Sequence, residues 1–509
     1  MESEVFMHIS RRLFLLQSAA LASTVYAAPS FKQYPFTLGV MSGDPSPDGF
    51  VIWTRLAPDP LNGGGMTESS VEVEWTIAED EMMRRVVRRG KSVASPSLAH
   101  SVHVEIAGLR SQRPYWYRFK VGKEVSPIGR AVTSPQASET PRELRFAFAS
   151  CQHWEAGLWT AYSHMLADRP ELVIHLGDYI YEGPGRDNGV RKHNSAEIVS
   201  ISDYRNRHAL YKSDPLIQRM HEHCPWVVTW DDHEVDNNYA NDVPEDKQGH
   251  DAFLERRSNA YQAYYEHMPL RPASLPRGSQ MRLYRQVSFG RLAQFSVLDT
   301  RQYRTDQPCG DATTTPCDGI YDPKATILGN EQEDWLKKSL DQSPARWNVI
   351  ANQVQMTRID RKPGPEEAVS TDQWSGYEAN RDRLMHFLAE RKPSNPLVIT
   401  GDIHSNWVSD LKVNWKDEKS PAIGTEFTGT SISSGGDGSN EVADTPAWYR
   451  ENPHLKMYNS QRGYVLITLS EAECRADYRV VPFVTKPGAP IQTHSSWVVE
   501  NGRTGVRKL

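Results

Sequence analysis

From Phe36 to about Val132 the chain alternates apolar and polar positions. Val71, Val73, Trp75 and Ile77 are interleaved with Glu72, Glu74 and Thr76; Val102, Val104 and Ile106 with His103 and Glu105; Tyr115, Tyr117, Phe119 and Val121 with Trp116, Arg118 and Lys120. A period of two places one face in a core and the other toward water. Several short strands of this kind separated by turn residues predict an all-β sandwich over residues 28–132. Residues 133–143, with Pro135 and Pro141 among Ser, Gln and Glu, form a polar linker.

Beyond the linker the pattern changes. Residues 144–149, 172–176, 226–230, 293–298, 347–351 and 397–400 are short and predominantly apolar, and helical stretches lie between them at 156–167, 331–340 and 381–391. Strands that are apolar on both faces and alternate with helices predict an α/β domain over residues 144–509. In the N-terminal region, Pro114 ahead of Tyr115 and Tyr117 resembles the tyrosine-corner strand of fibronectin type III domains. That region is read as an accessory domain of fibronectin type III or Ig-like form, without chemistry of its own.

Residues 1–27 are read as a leader. Ser10-Arg11-Arg12-Leu13-Phe14-Leu15-Leu16 opens an apolar run that reaches Ala22, and Val25-Tyr26-Ala27 offers a small-residue cleavage site. Paired arginines, an apolar core and small residues in that order predict a Tat-type signal, hence export through the Tat machinery to the periplasm or beyond. The run is too short to span a bilayer. No later stretch reaches 18 apolar residues, so stable membrane insertion is not expected. The 509 residues carry 58 Lys plus Arg against 64 Asp plus Glu, a formal charge of -6 with no long basic run, which argues against a nucleic-acid module. Five cysteines are too few for a disulfide scaffold. Cys309 and Cys317 bracket a loop that a local disulfide would close, while Cys224 and Cys474 read as buried thiols. A single chain acting as a monomer is expected.

The chemistry follows the buried strands. Residues 144–149 run into Ser150-Cys151-Gln152, and 172–176 into Gly177-Asp178-Tyr179-Ile180-Tyr181-Glu182. Residues 226–230 run into Asp231-Asp232-His233-Glu234, then Asp236-Asn237-Asn238. Residues 347–351 run into Asn352-Gln353, and 397–400 into Gly401-Asp402-Ile403-His404. Ligands of open α/β sheets bind outside the carboxyl ends of the strands. The chain has no Gly-x-Ser-x-Gly elbow and no phosphate-binding Gly-x4-Gly-Lys-Ser/Thr loop. Carboxylate, imidazole, phenolate and thiolate together are metal ligands. A tyrosine oxygen favours a trivalent ion such as ferric iron, and Asp and Asn oxygens favour a harder ion such as calcium, magnesium or manganese. Two cations bridged by one carboxylate would clamp a phosphoryl group and activate water.

The order Gly-Asp, Asp-His-Glu, Gly-Asp-x-His resembles the calcineurin-like metallophosphoesterase superfamily. The four motifs at 150–152, 177–182, 230–234 and 401–404 resemble, more narrowly, its alkaline phosphatase D (PhoD-like) family, over essentially the whole mature chain. The resemblance implies a metallophosphoesterase-type β-sandwich core flanked by helices. It implies Asp178 as the bridging carboxylate, with Cys151, Tyr181 and His404 joining it on Fe(3+). Asp232 and Asp402 would hold the second ion, Ca(2+), for which Mg, Mn or Zn are the substitutes. His233 would serve near the leaving group, and Asn238 and Asn352 would complete a shell or contact phosphate. The superfamily's usual Asp-x-His at the first strand is replaced by Cys151, and its penultimate histidine by Asp402, both moving the site away from paired zinc. Arg301 or Arg304, after the strand at 293–298, could reach substrate phosphate or form a structural ion pair.

Plainer readings stand beside these. Cys151 alone would be a small buried hydrophobe, and Tyr179 competes with Tyr181 for the ligand role. Asp231 could cap a helix, Glu234 could pair with an arginine, and Asp236, Asn237 and Asp242 could shape a loop. His153, His164 and His175 could be packed histidines. The expected activity is hydrolysis of phosphate monoesters or diesters by metal-activated water. A phospholipase D-like or other dedicated phosphodiesterase is the alternative, decided by pocket width and the segments 179–194 and 435–451. A non-catalytic secreted binding protein is the rival of another class, and the presence of every expected ligand argues against it.

Overall fold

The computed structural model describes residues 31–509, so the predicted signal at 1–27 lies outside the described residues. Two large sheets share one core. The ten-stranded sheet runs from Arg507–Lys508 through Gln492–Glu500, Glu473–Val481, Arg462–Ser470, Glu143–Ala149, Leu172–His175, Trp226–Val228, Val40–Ser46 and Gly49–Arg55 to Ser101–Ile106. The seven-stranded sheet runs Arg285–Phe289, Ala293–Val297, Trp347–Ala351, Pro396–Thr400, Ala422–Thr428, Asn406–Lys412, Leu455–Asn459. Phe146, Phe148, Leu172 and Ile174 of the first meet Phe295, Val349, Leu397 and Ile399 of the second.

Each sheet also has a helical cover, which explains why its central strands are apolar on both faces. Ala147, Val173 and Val228 point outward into a layer that includes the helices Thr160–Asp168, Ile201–Lys212, Pro215–His223 and His250–His267. Ile350 and Val398 point outward under Gly329–Asp341 and Glu378–Arg391. The fold is thus mixed α/β with several sheets. The helix predicted at 156–167 begins only at Thr160, because the preceding turn is held to a distant loop by the Leu158 N–H donating to the Val484 carbonyl (2.7 Å).

The alternating N-terminal strands form a smaller sheet of Val86–Ala94, Val71–Ala78, Pro114–Val121 and Glu124–Val125, with Gly129–Val132 also paired to Pro114–Val121. Its inward residues Val73, Ile77, Tyr117 and Phe119 pack on Val40, Phe50 and Ile52. The Tyr115 hydroxyl donates to the Arg110 carbonyl at 3.2 Å and accepts from the Arg110 N–H at 3.0 Å, closing the corner that Pro114 introduces. The strands Val40–Ser46, Gly49–Arg55 and Ser101–Ile106 belong at the same time to the ten-stranded sheet, joined to it by parallel pairing of Gly43 with Trp226. A Cβ at Gly43 would lie 2.5 Å from the Pro269 carbonyl oxygen, so the join depends on glycine.

The strands Glu143–Ala149, Leu172–His175 and Trp226–Val228 are mutually parallel in one sheet, and Ala293–Val297, Trp347–Ala351 and Pro396–Thr400 in the other. A bridge between Ser150 and Ser431 ties the first sheet's strand ends to the segment after Ala422–Thr428.

Candidate metal centre

The strand ends turn sharply to aim their side chains. Cys151, Asp178, Asp402 and His404 all have left-handed backbone, with φ of 57°, 56°, 64° and 52°. That conformation costs a non-glycine residue on the order of 1 kcal/mol and persists where the surroundings enforce it. Here the Cys151 and Gln152 N–H groups donate to the Gly177 and Asp178 carbonyls, each at 3.1 Å. The glycine of each Gly-Asp pair lets two loops touch. A Cβ on Gly177 would sit 2.5 Å from the Asp231 backbone nitrogen, and one on Gly401 would sit 2.4 Å from Ser150 Oγ.

These turns gather two adjoining donor sets. In the first, Cys151, Asp178 and His404 offer ligand atoms all within 4.8 Å of one another. The Tyr181 hydroxyl joins them, donating to Asp178 Oδ2 at 2.8 Å and lying 3.3 Å from His404 Nε2. In the second, Asp231, Asp232 and Asp402 converge within 4.8 Å, and Asp178, Asp232 and His233 do so on the shared side. Asp178 therefore stands between the two sets. Asp178 Oδ1, Asp232 Oδ1 and Asp231 Oδ2 are buried without a hydrogen-bond partner. Buried carboxylate oxygens left without partners are expensive unless a cation meets them. Thiol, phenol, imidazole and carboxylates in two sets sharing one acid fit a pair of cations.

Behind the acids stands a buried ion-pair network. Arg301 donates through Nε to Asp231 (2.5 Å), grips Asp372 with both terminal nitrogens (2.6 and 2.8 Å) and lies 3.5 Å from Asp232. Arg304 adds a bond to Asp372 at 2.7 Å. Glu234 accepts the N–H groups of Asp178 (3.1 Å), Tyr179 (2.5 Å) and Asp231 (2.8 Å), locking two strand-end turns together. On the open side, Glu182 accepts from His233 Nδ1 at 2.7 Å and from the Asn237 N–H at 3.0 Å. The Ser434 hydroxyl donates to the Cys151 carbonyl at 2.8 Å and lies 2.6 Å from the Tyr181 hydroxyl.

Electrostatics show the same crowding. Burial, reinforced by neighbouring acids, holds the Asp178 carboxyl well above its ordinary range, although His233 opposes it. Asp231 is raised in the same way against the pull of Arg301. Asp402 is pushed up to about 6 by burial and by Asp372. Burial, Asp178 and Asp402 keep the Cys151 thiol protonated, and burial with Asp178 and Cys151 does the same to the Tyr181 phenol. His233 goes the other way: burial disfavours its charge, but Glu182, Asp232 and Asp178 outweigh it and hold an imidazolium. A cation at the centre would invert the balance for the thiol, phenol and acids together.

The predicted ligands Cys151, Asp178, Tyr181, Asp232, Asp402 and His404 are thus brought to one place, with His233 beside them. Tyr179, the alternative to Tyr181, turns away, its hydroxyl lying 2.8 Å from His221 Nε2 and 3.0 Å from Lys212 Nζ. Arg301 is fully enclosed by carboxylates and buttresses them rather than facing a substrate. Asn238 gives its backbone N–H to Asp232 Oδ2 (2.8 Å) and its amide to Asp311 (2.9 Å). The Asn352 amide is used by the Val354 carbonyl and the Trp374 indole. Asp231 pairs with Arg301 rather than capping a helix, and Glu234 binds backbone rather than an arginine. His153 packs its ring 4.3 Å from that of Tyr181. Cys309 and Cys317 are disulfide-bonded, and Cys151, Cys224 and Cys474 are free. The contributions of Glu182, Asp372 and Ser434 were not foreseen. Only Glu182 had a signal, its place inside the motif at 177–182.

Comparison with known proteins fits this geometry. The family model of the PhoD-like phosphatases matches residues 146–478, and that of the PhoD-like phosphatase N-terminal domain matches residues 20–135. Alkaline phosphatase D of Bacillus subtilis (strain 168) is 51% identical over 506 residues, covering 98% of this chain and 87% of that protein. The solved structure of PhoD superimposes with a TM-score of 0.93 at 51% identity, covering 95% of this chain and 93% of that one. With both family models matched in order and half of the residues shared across nearly the full length, this chain belongs to the PhoD-like phosphatase family.

Proposed function

We propose that this protein is an exported, metal-dependent phosphoesterase of the alkaline phosphatase D type. The observation that carries the reading is the convergence of three buried carboxylate oxygens that accept no hydrogen bond, on Asp178, Asp231 and Asp232, beside a thiol, a phenol and an imidazole. Cys151, Asp178, Tyr181 and His404 would hold Fe(3+), and Asp178, Asp232 and Asp402 would hold Ca(2+), with Asp178 shared. Asn238, whose N–H donates to Asp232, and Asn352 would complete that shell or contact phosphate. When bound, two such cations polarise phosphoryl oxygens and bring the pKa of a coordinated water toward neutrality.

The chain's own residues supply the rest. Glu182 fixes the His233 ring through Nδ1, so the proton on the other ring nitrogen can be donated to an oxygen gaining charge as the ester bond breaks. Glu234 and the Arg301–Asp372 pair keep the acids at fixed separations, so little reorganisation accompanies the reaction. No serine or threonine is paired with a base as a nucleophile among the motif residues, consistent with direct attack by water. The finer fold reading belongs to the same proposal: a fibronectin type III or Ig-like sandwich at 28–132, a linker at 133–143 and a metallophosphoesterase-type sandwich at 144–509, in a chain working as a monomer. Among the described residues no helix is long and apolar enough to cross a membrane.

Hydrolysis of a generic phosphomonoester and diester, measured side by side before and after chelation, tests the reading. Turnover of at least one, lost on chelation and restored by iron with calcium, is expected; hydrolysis of neither by metal-loaded protein would overturn it. Diester turnover alone would establish the phosphodiesterase alternative.

A further inference from the structure

Five arginines around the centre are already engaged. Arg301 and Arg304 hold Asp372, Arg358 pairs with Glu378 and Glu367, Arg381 donates to the Met356 carbonyl, and Arg462 donates to the His404 carbonyl and Ser431. Arg361 differs. Among the described residues its guanidinium has no carboxylate within salt-bridge distance and no side-chain hydrogen bond, yet it is partly buried.

Its position is nevertheless fixed. The Arg361 N–H donates to the Ala368 carbonyl (2.8 Å), and its own carbonyl accepts from the Trp448 indole (3.1 Å). The preceding residue, Asp360, exchanges two bonds of 2.8 Å with the Asn452 side chain. The guanidinium lies over the rings of Trp407 and Trp448, 5.4 and 5.9 Å from their centroids. Cation–π contact of this kind holds a charge in place without using its N–H donors. The two indoles are themselves buried, so what this corner offers a ligand is the cation and not an aromatic face.

The corner adjoins the metal centre. Ile403, between Asp402 and His404, packs in the same cluster as Trp407, Trp448 and Tyr458, and the Trp407 indole donates to Ser405 Oγ at 2.7 Å. Burial lowers the Arg361 pKa from its ordinary value, and Tyr458 and Asp402 lie near enough to oppose that shift. A fixed cation with free planar donors next to a phosphoryl site matches a carboxylate or phosphate oxygen pair. Resting on the phosphoesterase reading, we propose that Arg361 is a specificity residue that binds a second anionic group on the ester's leaving side, favouring esters whose alcohol carries a carboxylate or another phosphate.

The test compares wild type, Arg361→Ala and Arg361→Lys on phenyl phosphate, 3-carboxyphenyl phosphate and 1,3-phenylene bisphosphate. The preference for each anionic ester over phenyl phosphate, as a ratio of kcat/KM, is expected to fall about 10- to 100-fold in Arg361→Ala. Arg361→Lys should restore part of it, and added salt should shrink the wild-type preference. A larger fall for the bisphosphate than for the carboxylate identifies phosphate as the group bound, and the reverse identifies carboxylate. Equal losses on all three esters, or no change in the ratio, would overturn the inference while leaving the phosphoesterase reading intact. Failure of wild type to hydrolyse any of the three would overturn the inference, and the phosphoesterase reading falls with it only if a generic diester is left intact as well.

Discussion

The turn at 177–182 separates two clusters of buried charge. On one side Asp178, Asp231, Asp232 and Asp402 converge with oxygens left unpartnered. On the other, the Tyr179 hydroxyl touches Lys212 and His221, with the His175 and His208 rings 5.3 and 6.4 Å from its own and His267 stacked on His208 at 4.8 Å. Burial lowers the pKa of Lys212 and of all four histidines, His175 to about 3. The basic groups are spread among Trp53, Trp226 and Tyr264, and burial disfavours their protonated forms, an arrangement a hydrophobic core tolerates. The acids instead point inward at one another, braced by Arg301 and by Glu234. A protein that needed only a core would separate them. Dispersed basic groups are pushed toward their neutral forms by burial, whereas acids held convergent with oxygens lacking hydrogen bonds offer a set of donors that suits a cation.

The largest test of that contrast is Asp178→Asn, which keeps the shape but removes the shared charge. Metal content should fall, and ester hydrolysis should drop about 10²- to 10³-fold or more; retention of both would show that the acids converge for another reason. Glu182→Gln should cost about 10- to 100-fold in kcat, because His233 loses the partner that orients it, with smaller loss of metal. A pH–rate profile whose acidic and basic limbs stay where they were would show that Glu182 does not set the charge of His233.

Stability responds less. Gly401→Ala drives a Cβ into Ser150 and should destabilise by roughly 1–3 kcal/mol in urea unfolding. Adding Ser150→Gly should recover part of that, whereas no second substitution relieves Gly177→Ala, whose clash is with the backbone at Asp231. Undiminished stability of Gly401→Ala would mean that the two strand ends are not tightly apposed.

The basic cluster gives the smallest effect and the opposite sign. Burial holds the Lys212 pKa well below the 10.5 of an unfolded lysine, so the unfolded chain binds that proton more readily and the stability this costs returns as pH rises toward 10.5. Lys212→Met should therefore be about 1 kcal/mol more stable at pH 7, with a flatter dependence above it. A loss of several kcal/mol would show that the amine is charged and paired with a buried anion. The histidines act on the acid limb: as pH falls below 6.5 the unfolded chain takes up protons that His175 refuses until about 3, so stability should decline across that window.

The acidic cluster was largely legible in the sequence, and the basic one was not. Each apolar run at 144–149, 172–176, 226–230 and 397–400 ends in its candidate ligands, so the carboxyl-end rule brought Cys151, Asp178, Asp232, Asp402 and His404 together without knowledge of any contact. The acid that braces them, Asp372, follows a two-residue strand in a long loop and meets Arg301 across 71 positions. Nothing local marks such a pair. Asp231 looked like a cap because Asp before a polar turn usually is one. Lys212, His208 and His221 lie on Ile201–Lys212 and Pro215–His223, helices whose polar-rich sequences hide how deeply they pack. The pairing of Gly43 with Trp226 is likewise silent, since a parallel contact between distant strands leaves no periodic trace. Asn406–Lys412 is buried on both faces while carrying Asn, Ser, Asp and Lys, so neither alternation nor an apolar run announced it.

Elemental analysis of the folded, purified protein tests the central claim most directly. Convergent acids built for cations should yield about two or more metal ions per chain, one of them iron, with a visible absorption band from the phenolate of Tyr181. Metal-free protein that is fully folded and still hydrolyses phosphate esters would contradict it.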